Sequence, residues 1–223
     1  DFCLSRGLGD VYKRQELDGP PWPGPCGGKH QVVWDTFRIA NWEGVQGPIV
    51  FAEGSKLKVK APPGKEKFYP RVFESLLPDA GDDGSIHTDA YEACLALQNP
   101  RLADNPAETY AGLLFGISKD SGYLELLIDA AGRVSVVDSN PSPARRLLDW
   151  SRIDVIETGP RAINVLQVMV KGRSANLLVN GRKLDLPPID LKNERSSIGF
   201  GSGSEPTRAD AWKFLWIAAT EAE

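Results

Sequence analysis

Short apolar runs separated by turn residues dominate the chain from Val32 onward. Residues 32–37 predict a first strand, and alternation of apolar and polar positions over residues 56–61 and 90–98 predicts two more. Successive side chains of a strand point to opposite faces, so the strand at 90–98 has a predominantly apolar face. That face consists of Tyr91, Ala93, Leu95 and Leu97. Cys94 lies on the opposite face.

The middle of the chain predicts antiparallel hairpins. Residues 110–117, 123–128 and 133–137 read as a three-stranded meander, because glycine-containing turns separate them. The next hairpins join residues 164–171, 175–179 and 182–186, and the last strands are predicted at 197–200 and 211–218. Asn180-Gly181 is the strongest turn signal, since a type I′ turn has positive φ at both central residues.

The pattern breaks between Ser142 and Asp154, where residues 144–150 predict one helical turn. About a dozen strands and no amphipathic helix together predict an all-β sandwich of two antiparallel sheets over residues 32–223. In the last strand, Trp212, Phe214 and Trp216 alternate onto one face.

The first 31 residues lie outside this pattern. Residues 1–15 resemble the translation of a sequencing adaptor, as found at the ends of metagenomic reading frames; the alternative is a natural disordered N-terminus. Residues 19–28 contain repeated Gly-Pro and Pro-Gly pairs and predict an extended lead-in, because proline interrupts helices and strand ladders.

Composition excludes several classes of function. The net charge of −4 makes nucleic acid an unsuitable partner, since phosphate binding requires a basic surface. No apolar run approaches the roughly 20 residues of a membrane helix. Two histidines and three cysteines exclude a three-histidine metal centre and a four-cysteine zinc site.

A set of motifs occurs in a characteristic order: residues 111–116, 122–129, 132–136, 164–168, 178–181, 197–200 and 212–214. Together they resemble the jelly-roll of the concanavalin A-like lectin/glucanase superfamily, and most closely the laminin-G-like and 3-keto-disaccharide hydrolase-like domains of exported bacterial proteins. The resemblance implies a jelly-roll sandwich, a periplasmic or secreted location and a glycan as partner. We expect a monomer.

The resemblance also bears on two other features. In an exported protein Cys26 and Cys94 could form a disulfide, and two free thiols are the alternative. Jelly-rolls of this superfamily often bind a structural calcium where the termini meet, which makes Asp35 and Asp210 candidate ligands. No other cofactor is expected.

Glucanases of family 16 on this fold carry Glu-x-Asp-x-x-Glu on one strand. The nearest approach is Glu125 to Asp129, where Leu127 replaces the central aspartate and so weakens the case for that chemistry. Tyr123 and Glu125 share a strand face, and the cost of burying a charge favours a face that solvent reaches.

Aromatic rings with polar neighbours are the remaining candidate ligand residues, because lectin-type sites use rings as platforms for sugars. These candidates are Trp150 with Asp149 and Arg152, Tyr123 with Glu125, and Trp212. The sequence therefore predicts a non-catalytic carbohydrate-binding module. A glycoside hydrolase of the 3-keto-disaccharide type and a structural or protein-interaction domain are the alternatives.

Overall fold

The protein is an all-β sandwich. The structure, a computed structural model, describes residues 31–35, 50–53, 56–59, 69–72, 90–103, 105–118, 122–139, 143–191, 197–204 and 212–221. Within those residues the one helix is a single 3₁₀ turn, Pro106–Glu108. No helix in these ranges has the length and hydropathy needed to cross a membrane.

The described strands are β1 (Gln31–Asp35), β2 (Val50–Glu53), β3 (Lys56–Val59), β4 (Tyr69–Val72), β5 (Ala90–Gln98), β6 (Thr109–Ser118), β7 (Gly122–Asp129), β8 (Arg133–Asp138), β9 (Arg145–Arg152), β10 (Ile163–Lys171), β11 (Ser174–Val179), β12 (Arg182–Lys183), β13 (Ile189–Asp190), β14 (Ser197–Ser204) and β15 (Trp212–Glu221). Sheet A has the order β12-β11-β10-β5-β15-β3-β2, with β1 added beside β15 and β13 beside β11. Sheet B has the order β4-β14-β6-β7-β8-β9.

All the strand pairs described are antiparallel, as the hairpin signals predict. The main core lies between the two sheets, where Phe200 of β14 meets Phe214 of β15 at 4.6 Å between ring centroids. The predicted apolar face of β5 points into this core, and Cys94 points away from it. The alternation of β5 was therefore interpreted correctly.

A second apolar cluster covers the other face of sheet A. It consists of Cys94, Ala96, Val165, Leu215, Trp216 and Ala218. The register of β15 against β5 shifts between Phe214 and Trp216, so two residues of β15 oppose one residue of β5 there. The shift turns Trp216 away from the face of Trp212 and Phe214, and the prediction that all three share one face was wrong.

The segment expected to contain a helical turn is the edge strand β9 instead. Two register shifts interrupt its pairing with β8, so its apolar residues do not alternate in sequence. In contrast, the Asn180-Gly181 turn forms as predicted, with φ of 49° and 79°.

Candidate functional site

The face of sheet B that points away from the core carries polar side chains among three buried apolar ones, Leu114, Leu127 and Val137. On β7, Leu124, Leu126 and Ile128 belong to the core, so Tyr123 and Glu125 project from the opposite face. The same alternation on β6 and β8 places further side chains beside them. We call this surface the outer face of sheet B; it is formed by Tyr110, Tyr123, Glu125, Asp129, Arg133, Ser135, Arg146, Trp150 and Arg152.

Trp150 of β9 is half-buried at the centre of an aromatic and guanidinium cluster. The Tyr110 ring lies 5.8 Å from it between centroids, tilted by 53°. The guanidinium carbons of Arg133 and Arg146 lie 5.4 Å and 5.7 Å from its ring centroid, within the range of cation–π attraction. Tyr110 in turn packs on Gly203, where an added Cβ would come within 2.6 Å of the ring.

Asp129 is fully buried on this face and its hydrogen bonds are internal. Its Oδ1 accepts from the backbone N–H groups of Ala131 and Arg133, at 3.0 Å and 2.8 Å. Its Oδ2 accepts from Arg133 Nε at 2.5 Å, and Arg133 also donates to the Ala107 carbonyl at 2.6 Å. Burial raises the pKa of Asp129, and the hydrogen bonds and charge of Arg133 oppose that rise. Asp129 therefore anchors Arg133.

Glu125 has a different environment. Its side chain is buried, with 8% exposed, and within the described residues its carboxylate has no hydrogen bond or ion pair. Burial raises the pKa of this carboxyl to about 7, with the charge of Arg146 opposing the rise. Burial also raises the pKa of Tyr123, to which the Glu125 charge adds. A buried carboxyl whose pKa lies near neutral pH is a candidate functional group.

Arg146 contacts Trp150, and its charge acts on Glu125. It is exposed, and its guanidinium donates to the Ser135 hydroxyl at 2.9 Å. Ser135 is fully buried and donates in turn to the Leu148 carbonyl at 2.8 Å. One guanidinium nitrogen is thus held by the sheet, while the remaining donors of the group can meet a ligand.

The structure brings most of the sequence-predicted residues to this face. Tyr123 is half-buried and Glu125 is nearly closed off, so only the first has the solvent access that was expected. Arg152 is exposed and stands directly opposite Arg133 on the neighbouring strand. Asp149 is exposed beside Trp150, and its carbonyl accepts from the Ser151 hydroxyl at 2.9 Å.

Trp212 was predicted as a ligand residue, and the structure shows that this prediction is wrong. Its side chain is 2% exposed and belongs to the core between the sheets. Because it precedes the register shift in β15, it faces inward with Phe214. Trp212 therefore contributes to packing and does not reach a ligand surface.

The predicted disulfide and metal residues fall mainly outside the described ranges. Cys94 is disulfide-bonded, and the other two cysteines of the chain, Cys3 and Cys26, lie in segments that the structure does not describe. The same holds for Asp210 and for the side chain of Asp35. Among the described residues no group of three or more His, Cys, Asp and Glu side chains could hold a metal ion. The Cys26 pairing and the calcium site stay predictions.

A cleft of about 380 Å³ opens at the end of the sandwich, next to the start of β7. Leu124, Leu147 and the segment from Leu186 to Leu191 supply much of its wall. Its charged residues are Asp190 and the pair Asp138 and Arg145, whose Oδ2 and guanidinium nitrogen lie 3.7 Å apart. Tyr123 lines the cleft and also belongs to the outer face of sheet B.

Sequence reasoning missed Arg146, Arg133 and Tyr110 as site residues. Arg146 was missed because the sequence pattern predicts a helical turn over residues 144–150, where the structure has strand β9. The available signal was the composition of residues 145–152, with three arginines and one tryptophan in eight positions. Arg133 and Tyr110 reach Trp150 through strand pairing, which a local pattern does not reveal.

The carboxyl pair suggested by the resemblance is not free for glycosidase chemistry. Glycosidases of this type need two carboxyl groups that both face the substrate. Asp129 is fully buried, and its carboxylate accepts hydrogen bonds from the Arg133 side chain and from the backbone N–H groups of Ala131 and Arg133.

No protein-family model and no curated protein sequence matches the chain. Solved structures match at low identity. The carbohydrate binding module CBM66 from Bacillus subtilis has a TM-score of 0.56 at 12% identity, over 81% of this chain and 96% of its own. The metal-free carbohydrate recognition domain of Emp46p has a TM-score of 0.54 at 12% identity, over 83% and 90%.

The laminarinase catalytic domain from Thermotoga maritima has a TM-score of 0.54 at 6% identity, over 80% of this chain and 82% of its own. Matches at such low identity show a shared fold alone. The chain is a two-sheet antiparallel jelly-roll sandwich.

Proposed function

We propose that this protein binds a saccharide on the outer face of sheet B, without catalysis. The observation that carries the proposal is Glu125, a buried carboxylate that lacks a hydrogen-bond partner among the described residues, beside the exposed Arg146. An unpaired buried carboxyl lowers stability, so its presence near the exposed Arg146 supports a role in binding. Sugar hydroxyls both donate and accept, and would satisfy both groups together.

The rings at the edge of this face support the same ligand class. Tyr110 and Trp150 are half-buried and adjacent, so each combines a packed part with a part that solvent reaches. Aromatic side chains with a polar neighbour suit a ligand that has an apolar ring face and a polar rim. The carbohydrate-binding proteins among the structural matches show that this fold can serve such a purpose.

The second candidate is a glycoside hydrolase, because the pKa of Glu125 near 7 suits a general acid. A second carboxyl that reaches the substrate is needed, and Asp129 is buried and held by Arg133. We therefore propose saccharide binding ahead of glycoside hydrolysis. The disulfide of Cys94 further supports a working environment outside the cytoplasm, since such bonds persist where conditions are oxidising.

A glycan array followed by calorimetry tests the proposal. We expect the wild-type chain to retain a saccharide and Glu125→Gln to weaken that binding at least tenfold. Glu157→Gln is the matched control, because Glu157 is exposed in the loop between β9 and β10. Both variants should show the wild-type circular dichroism spectrum. An array without any bound saccharide would overturn the proposal, and release of a shorter sugar would favour the hydrolase.

A further inference from the structure

We infer that the saccharide is acidic, and that Arg146 and Arg152 bind its carboxylate beside Trp150. This inference rests on the proposed function and adds the class of ligand. It follows from counting which donors and acceptors on the outer face of sheet B are already used by the protein.

The acceptors are mostly occupied or hidden. Both oxygens of Asp129 accept hydrogen bonds from Arg133 and from the backbone, and the carboxyl is fully buried. The Ser135 hydroxyl accepts from Arg146 and is also buried. The carboxylates that a ligand can still use are Glu125, at 8% exposure, and the exposed Asp149 beside Trp150. A surface with few open acceptors favours a ligand that is itself rich in acceptors.

The donors, in contrast, are in excess. Arg133 and Arg152 are directly opposite each other on β8 and β9, an arrangement in which like charges are destabilising. Arg133 is balanced by Asp129. Arg152 is exposed and forms no ion pair within the described residues. A bound anion would therefore remove a repulsion that the strand pairing creates.

Arg146 supplies the second free donor group. One of its nitrogens is fixed by Ser135, and its guanidinium carbon is held 5.7 Å from the centroid of Trp150. These contacts orient the group in advance and leave its other N–H groups for a ligand. A planar guanidinium matches a carboxylate with two parallel hydrogen bonds, which a neutral hydroxyl cannot form.

The same contacts weigh against recognition by stacking alone. Trp150 already has two guanidinium groups and one tyrosine ring within 6 Å of its own ring. Its role on this face is therefore to position cations as well as to contact a sugar ring. A uronic acid unit fits, because its carboxylate would meet the arginines while a ring hydroxyl donates to Glu125.

Calorimetry with matched ligands tests the inference. The probes are oligomers of galacturonate, glucuronate and mannuronate, each compared with its own methyl ester, which keeps the ring and removes the charge. We expect at least one acid to bind at least tenfold more tightly than its ester. Arg146→Gln and Arg152→Gln should each reduce that preference. Arg182→Gln, on β12 of sheet A, is the control and should leave it unchanged.

The outcomes separate this inference from the proposed function. Tightest binding to neutral sugars or to esters would overturn the acidic ligand and leave saccharide binding in place. Equal binding of inorganic phosphate or of a single-stranded oligonucleotide would reveal general anion binding and would also overturn the inference. Failure of every acidic and neutral saccharide to bind would overturn both.

Discussion

Glu125 and Arg146 lie in one row across sheet B, separated by Val137 of β8. The charge of Arg146 opposes, but does not cancel, the burial that raises the pKa of Glu125 from 4.5 to about 7. Between these two pH values the folded chain keeps a proton that the unfolded chain has released. The free energy of unfolding therefore falls as the pH rises through this window.

Glu125→Gln should remove this contribution, because glutamine is neutral at every pH. We expect the variant to match the wild type near pH 4 and to be more stable at pH 8, by up to about 3 kcal/mol. Urea unfolding at the two pH values measures the difference. Glu157→Gln should behave as the wild type at both. A Glu125→Gln protein that is less stable than the wild type at pH 8 would show that the ionised carboxylate is favourably held.

Trp150 and Trp212 form a matched pair of tryptophans, one on the outer face and one in the core. Trp150→Ala should abolish saccharide binding. It should lower the free energy of unfolding by about 1–2 kcal/mol, which is less than the 3–5 kcal/mol typical of removing a fully buried aromatic side chain. Trp212→Phe should keep the binding and lower the melting temperature. Affinity and thermal unfolding of both variants test this. Retained binding in Trp150→Ala would exclude a role for its ring and for the guanidinium groups it holds.

Asn180 combines a turn with a hydrogen-bond network. Its Oδ1 accepts from the Val165 N–H at 2.7 Å, and its Nδ2 donates to the Val155 carbonyl and to Asn164 Oδ1. Asn180→Gly keeps the positive φ and loses these hydrogen bonds, so we expect the free energy of unfolding to fall by about 1–3 kcal/mol. Asn180→Ala should cost about 1 kcal/mol more, because alanine disfavours positive φ. Equal stabilities of the wild type and the glycine variant in urea would contradict the network's contribution.

The disulfide of Cys94 has two candidate partners in the sequence, and we expect Cys26. Peptide mapping of the unreduced protein should find Cys26 linked to Cys94, and Cys26→Ser should leave a free thiol at Cys94 while Cys3→Ser does not. Loss of the bond should lower stability by about 2–4 kcal/mol. A linked peptide containing Cys3 would instead make the first residues of the chain part of the folded protein.

The sequence predicts those parts of the fold that depend on local rules. The range of β5 and the Asn180-Gly181 turn follow from alternation and from the demand for positive φ. Tyr123 and Glu125 share the face of β7 opposite its core residues, as alternation predicts, but Glu125 lacks the solvent access that was expected. In each case the information lies within ten consecutive residues.

The remainder depends on contacts between distant residues. The register shifts in β9 and β15 are set by strand pairing, and each breaks the alternation on which a local prediction relies. Arg146 becomes a site residue only once β9 is paired with β8. The same limit applies to Asn164. Its side-chain amide forms hydrogen bonds with Asn99 and Asn180, which lie 65 and 16 positions away in the sequence.

The register shift at Leu215 of β15 also shows where this strand can lose a residue without losing the sandwich. Because Leu215 is the additional residue, its removal would leave Trp212, Phe214 and Ile217 in the inner layer and restore a regular ladder with β5. What would disappear is one of two successive apolar side chains that face outward there. A related chain that lacks this one residue would form the same sandwich. It would have less apolar surface on the outer face of sheet A.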